Sequence, residues 1–70
     1  MNIIARKPRV HSLVKSTDNS EYIVVDRGPG HMQQFVVGTA TAHSLSYGEW
    51  FWGHYFDTME AAMEYFNAAA

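Results

Sequence analysis

The sequence predicts an α+β domain in which an antiparallel sheet of three or four strands carries one C-terminal helix on one of its faces. Two segments in the middle of the chain are rich in β-branched residues, a third is rich in aromatic residues, and short turn-forming segments separate them. The last segment instead has its apolar residues at helical spacing. Short connections favour hairpins, so we expect the strands to run antiparallel.

The chain has 70 residues, which predicts a single domain over residues 1–70. It contains no cysteine, so we expect apolar packing to stabilise it in place of disulfides or thiolate metal sites. A hydrophobic content of 47% and an aromatic content of 14% are consistent with an ordered globular domain. No stretch approaches the roughly 20 apolar residues that span a bilayer, and the start does not resemble a secretory signal. We therefore expect a cytoplasmic protein without a membrane partner.

The first third of the chain gives the weakest pattern. Residues 1–9 form either a flexible basic arm or an edge strand, and Pro8 disfavours a helix because it restricts Lys7 to extended conformations. Residues 10–15 are a short strand candidate, and residues 16–20 are rich in side chains that favour a turn.

Residues 21–27 and 33–41 predict two strands, and the Gly-Pro-Gly segment at 28–30 predicts the hairpin turn between them. In the second of these strands, Gly38 and Ala40 leave one face thin. We expect an aromatic side chain of the following strand to pack there, close to the backbone.

Residues 42–48 predict a connection, and residues 49–56 predict the third strong strand. Alternation in a regular strand places Trp50, Trp52, His54 and Phe56 on one face and Phe51 and Tyr55 on the other. One helix cannot cover two aromatic faces. We therefore expect some of these rings to line a contact surface, either to a partner or across a homodimer.

Residues 58–67 predict the C-terminal helix. Asp57 is the expected N-cap, and Glu60 three residues later completes a capping-box pattern. The apolar stripe that should pack on the sheet consists of Met59, Ala62, Met63 and Phe66.

Charge is unevenly distributed along the chain, although its net value is only −2. All basic residues except Arg27 precede the first acid, and they are Arg6, Lys7, Arg9 and Lys15. The pattern indicates a basic arm on an acidic body. Either both are ordinary solvated surface, or the acidic body meets a basic surface of a partner, towards which complementary potentials would steer it.

The sequence lacks the motifs of common enzymes. No nucleophile-elbow pattern surrounds a serine, and the Gly-Pro-Gly segment lacks the lysine and helix of a phosphate loop. The histidine spacings match no short chelating motif, although folding could bring His43 and His54 together across a hairpin. We expect neither catalysis nor a metal or other cofactor.

Residues 48–66 read GEWFWGHYFDTMEAAMEYF, an aromatic strand that runs into a capped acidic helix. This segment resembles small proteins encoded by bacteriophages and mobile elements, and among these the anti-CRISPR proteins. The resemblance implies a short, cysteine-poor α/β domain that blocks a host nuclease complex stoichiometrically. Anti-CRISPR proteins share no common motif, so the resemblance assigns no role to an individual residue.

Our first hypothesis is a non-enzymatic inhibitor or adaptor that occupies a functional surface of a larger protein or ribonucleoprotein complex. Its predicted partner-binding residues are acidic or aromatic, and they are Glu49, Trp50, Trp52, Tyr55, Asp57, Glu60 and Glu64. The alternative is a small nucleic-acid-binding module in which the basic arm contacts phosphates and exposed rings stack on bases. We rank it second because four basic residues are few beside an acidic body.

Overall fold

The computed structural model describes residues 2–9 and 20–69, and these form a four-stranded antiparallel sheet with a C-terminal helix packed against it. In chain order the elements are β1 (Asn2–Pro8), β2 (Glu21–Asp26), β3 (Phe35–Ala40), α1 (Ala42–Ser46), β4 (Phe51–Phe56) and α2 (Met59–Ala68). The sheet order is β1-β2-β3-β4, so β1 and β4 are its edges. The predicted fold class is confirmed. The predicted strand at residues 10–15 lies outside the described residues.

The sheet is buried on both sides by different elements. On one side, the helix face, Val24 and Val37 pack against Ala62 and Phe66 of α2. On the other side, the α1 face, Leu45 of α1 and the ring of Trp50 pack on a group of fully buried residues. That group consists of Ile23, Val25, Val36 and Ala40. The alternation along β2 and β3 thus produces two small apolar layers.

Trp50 fills the thin part of the α1 face. A Cβ atom at Gly38 of β3 would lie 3.0 Å from Trp50 Cδ1, and one at Gly53 of β4 would lie 2.9 Å from Trp50 Nε1. The indole therefore rests directly on two strands where neither carries a side chain. The predicted packing of an aromatic residue against the thin face at Gly38 is confirmed.

A β-bulge at Trp52 interrupts the pairing of β4 with β3. His54 lies opposite Val37, whereas Phe51 lies opposite Thr39, so β4 has one more residue than β3 over this stretch. Trp52 takes a left-handed backbone conformation with φ 52°. The extra residue shifts the alternation, and for this reason the predicted faces are wrong for two rings. Trp50 lies on the α1 face, and Phe51 lies on the helix face.

The connection at residues 42–48 contains a short helix that the sequence analysis did not assign. Thr41 caps α1: its Oγ1 accepts a hydrogen bond from Ser44 N at 3.0 Å, and Thr41 N donates to Ser44 Oγ at 2.9 Å. This reciprocal arrangement satisfies two backbone donors that the first helical turn leaves free. It holds Leu45 against the α1 face.

The C-terminal helix starts one residue later than predicted. Thr58, not Asp57, is the N-cap, and its Oγ1 accepts from Ala61 N at 3.2 Å. The predicted capping box is therefore wrong, because Glu60 is not the third helical residue. Of the predicted apolar stripe, Ala62 and Phe66 are buried, Met63 is partly buried and Met59 is exposed. No helix in the described part of the chain is long and apolar enough to cross a bilayer.

Lys7 ties the first strand to the last helix. Its Nζ donates to the carbonyl oxygens of Phe66 at 2.6 Å and Ala69 at 2.5 Å, at the C-terminal end of α2. Both carbonyls lie at the end of the helix, where Phe66 O also accepts a hydrogen bond from Ala69 N at 3.2 Å. A cation there interacts favourably with the helix dipole. The ammonium group lies 4.8 Å from the centroid of the Phe66 ring as well.

We predict that Lys7→Met lowers the free energy of unfolding by about 1.5–3 kcal/mol, the range for hydrogen bonds to a charged group. The matched control is Arg6→Gln, which removes the exposed ion pair between Arg6 Nη2 and Glu21 Oε2 at 2.7 Å. Exposed pairs contribute about 0–1 kcal/mol. Urea unfolding of both variants measures the difference. Equal effects of the two changes would show that Lys7 does not anchor α2.

Candidate partner-binding surface

Several large rings of the described residues remain exposed to solvent. Trp52 is 73% exposed and Tyr47 is 69% exposed. The other exposed rings are Phe51, Tyr55 and Tyr65. The expectation that one helix leaves part of the aromatic side chains uncovered is confirmed, even though α1 and Trp50 cover part of the second face.

The two exposed rings of the predicted site lie on opposite faces of β4. Trp52 lies on the helix side, and the guanidinium carbon of Arg9 is 5.7 Å from the centroid of its ring. Tyr55 is opposite Val36 on the α1 face, and the guanidinium carbon of Arg27 is 4.7 Å from its ring. Each ring thus has one side near an arginine, and cation–π contacts of this kind contribute about 0.5–1 kcal/mol at exposed sites.

Trp52 combines strain with exposure. A non-glycine residue in the left-handed region is destabilised by about 1–2 kcal/mol relative to the right-handed one. Burial of an indole could offset this strain, but the Trp52 side chain is largely in solvent. The bulge therefore holds a large aromatic side chain outward, and the Trp52 ring itself gains little burial within the chain in return for the strain.

A groove of about 420 Å³ lies beside Trp52 on the helix face. The backbone of β3 around Gly38 forms its floor, and the end of α2 at Ala68 and Ala69 forms one wall. The remaining lining side chains are aromatic or basic for the most part, and they include Arg9, Tyr22, Trp52, His54 and Tyr65. None of the described residues that line the groove is acidic. The groove could not be predicted from the sequence, because only the packed helix brings Tyr65 over β4, where its ring lies 4.6 Å from that of His54.

Asp26 carries a carboxyl group whose pKa is lowered by its neighbours. Its Oδ1 accepts hydrogen bonds from Gln34 Nε2 and from Gly28 N, both at 2.8 Å, and these hold its pKa below the usual value. Both bonds lie within the β2–β3 hairpin. Asp26 thus stabilises this turn in its ionised form, and a group held ionised by its neighbours is poorly suited to donate a proton.

The predicted acidic residues are all exposed, but they do not form one patch. Glu49 precedes β4 and Asp57 follows it, so these two carboxylates lie at opposite ends of the strand. Glu60 and Glu64 lie on the exposed side of α2. The remaining predicted residue, Trp50, is half-buried on the α1 face and supports the sheet.

The described basic residues of the predicted arm, Arg6, Lys7 and Arg9, have partners within the chain. Arg6 is paired with Glu21, Lys7 contacts the end of α2, and Arg9 lies over Trp52. Lys15 lies outside the described residues. The described basic residues therefore form part of the folded sheet and do not make a separate patch.

The histidines that could have met across a hairpin each contact a tyrosine. The ring of His43 is 5.0 Å from that of Tyr47, and His54 contacts Tyr65. Within residues 2–9 and 20–69, no three side chains of the metal-binding types lie together as a metal site requires. No family model, curated protein or solved structure matches the chain.

We predict that Trp52→Gly is more stable than Trp52→Ala by about 1 kcal/mol. Both variants lose the ring, but only glycine adopts positive φ without a steric penalty. Tyr55 provides the control, because it lies in the regular part of β4 and there glycine should be the less stable variant by about 0.5–1 kcal/mol. Chemical unfolding of the four variants gives the two differences. If glycine were more stable than alanine at both positions, or less stable at both, the result would contradict a left-handed backbone at Trp52.

Proposed function

We propose that this chain is a non-enzymatic protein-binding inhibitor or adaptor whose contact surface is centred on β4. The observation that carries the proposal is Trp52, an indole that the bulge holds in solvent in a strained backbone conformation. Tryptophan and tyrosine are the residues that most often dominate binding energy at protein interfaces. A partner that buries the indole would add the apolar burial that the Trp52 ring lacks in the isolated chain.

The acidic residues around β4 and on α2 support a partner with a basic surface. Glu49 and Asp57 flank β4, while Glu60 and Glu64 lie on the exposed side of α2, and the helix itself contains no basic residue. Complementary potentials speed encounter and reject partners of like charge. The surface of a protein that holds nucleic acid is basic, because it must neutralise phosphates.

We therefore propose a larger protein or ribonucleoprotein complex in the cytoplasm as the partner. The resemblance to anti-CRISPR proteins supports a host nuclease complex as the specific target, which the chain would block by occupying a functional surface. Such a role needs neither catalysis nor a cofactor.

The test is affinity purification of the tagged chain from its native host, followed by measurement of affinity for the identified partner. We expect Trp52→Gly to weaken binding about 30-fold or more, as loss of an interface residue contributing 2 kcal/mol or more does. Glu60→Lys with Glu64→Lys should weaken it further by charge repulsion. The control is Met32→Ser, an apolar residue 97% exposed in the β2–β3 loop. Unchanged affinity of the Trp52 variant would refute the proposal.

The ring-lined groove on the helix face favours single-stranded nucleic acid as a second candidate ligand. Bases stack on exposed aromatic side chains, and Arg9 could approach a phosphate. The groove lining contains no acid among the described residues.

A salt titration with a single-stranded oligonucleotide tests this candidate. If it is right, affinity falls steeply with salt concentration, and Arg9→Gln reduces both affinity and the salt slope. Arg27→Gln is the matched control, because Arg27 lies over a ring on the opposite face. An oligonucleotide that does not bind at low salt would exclude this function.

A further inference from the structure

We propose that the outer edge of β4 pairs with an extended segment of the partner, about eight residues long, apolar in its middle and basic near both ends. This inference rests on the proposed function, since it specifies how the partner meets the surface around Trp52. Strand addition of this kind obtains its affinity from main-chain hydrogen bonds and its specificity from the side chains beside the edge.

The two edges of the sheet differ in how they are protected. β1 carries Arg6, Lys7 and Pro8, and a register shift lies between Ile3 and Ala5. Charges, proline and bulges are the usual devices that keep an edge from pairing with another strand. β4 reads FWGHYF and contains no Lys, Arg, Asp, Glu or Pro. Its bulge lies near its start, so the backbone from His54 to Phe56 pairs regularly with β3.

Aromatic side chains lie on both faces of this edge. Phe51 and Trp52 are on the helix face, and Tyr55 is on the α1 face. Side chains of an added strand alternate between the two faces, so each face of the partner segment would contact an exposed ring. An apolar middle is the composition that fits these neighbours.

The acidic residues at the two ends of β4 determine which residues fit the ends of the partner segment. Glu49 and Asp57 are both exposed, and the chain from one to the other has nine residues, of which the bulge takes up one. A partner strand of about eight residues, at about 3.3 Å per residue, therefore reaches both carboxylates. A basic residue near each end would face an acid whichever way the segment runs.

The same charges argue against a second copy of this chain as the occupant. Antiparallel pairing of two β4 strands about Gly53 would place Glu49 of one copy near Asp57 of the other, at both ends of the interface. Like charges directly opposite one another destabilise strand pairs. A homodimer through this edge is therefore disfavoured relative to a basic segment of another protein.

The experiment uses the full chain labelled with ¹⁵N and the capped peptide Lys-Thr-Val-Val-Val-Val-Thr-Lys as the probe, whose central valines alternate between the two faces. We expect the peptide to slow hydrogen exchange of outward-facing amides in residues 53–56 at least tenfold and to shift the Trp52 indole resonance. Amides of β1 serve as the internal control and should not change. The same peptide with Glu at both ends should bind at least tenfold more weakly, and one with a central Pro should give no protection.

Further outcomes separate this inference from the proposed function. A shift of the Trp52 indole without slower exchange in β4 would mean contact without strand pairing, which overturns the inference and leaves the proposed function standing. Protection of β1, or protection of β4 that grows with protein concentration alone, would overturn it too. The absence of any response to the peptides would also overturn the inference. The proposed function has its own test, which is the affinity of the Trp52→Gly variant for the purified partner. The double variant Glu49→Lys, Asp57→Lys should reverse the preference, so that the Glu-ended peptide binds better.

Discussion

The contact of the Trp50 indole with two glycines is the interaction on which the rest of the structure depends. A ring this large can lie on the sheet at Gly38 and Gly53 only because neither position has a side chain. It covers apolar residues of β2 and β3 that would otherwise face water. Since Trp50 is thereby committed to the α1 face, the chain needs an extra residue before His54 can point to the helix face. The bulge at Trp52 supplies that residue.

A second interaction connects the first strand of the structure with its last helix. Lys7 of β1 reaches the last carbonyl groups of α2 and lies over the Phe66 ring. In a chain of this size, where a single core gives limited stability, one such link between the first and last elements holds the helix in position over the sheet. That position also forms the wall of the ring-lined groove.

Much of the fold follows from local patterns in the sequence. The β-branched run at residues 21–27 and the helical spacing after residue 58 predicted their elements to within about one residue. The packing of an aromatic ring at Gly38 followed from the missing side chain. The bulge could not be predicted, because Trp52 has no left-handed preference and its conformation results from tertiary packing around Trp50. The short helix at Ala42–Ser46 was missed because its capping pair, Thr41 and Ser44, lacks the usual Glu or Gln.

The candidate site was harder to predict than the fold for the same reason. Strict alternation placed Trp50 and Trp52 side by side, whereas one residue of irregular backbone separates them onto opposite faces. The acids were correctly expected on the surface, yet their distribution between the ends of β4 and the side of α2 depends on topology. Tyr65 could be counted as aromatic, but its place over His54 required the helix to be docked.

The bulge also has an evolutionary consequence. Because side chains in a strand alternate, loss of the extra residue would exchange the faces of all rings that precede it, and gain of another would do so again. Pairing of the core strands β2 and β3 does not involve β4, so such a length change would leave that pairing in place, although it would also take Trp50 off the α1 face. A single-codon insertion or deletion near Trp52 could thus change which rings the protein presents, giving a lineage under pressure from varying partners a short route to new binding specificity.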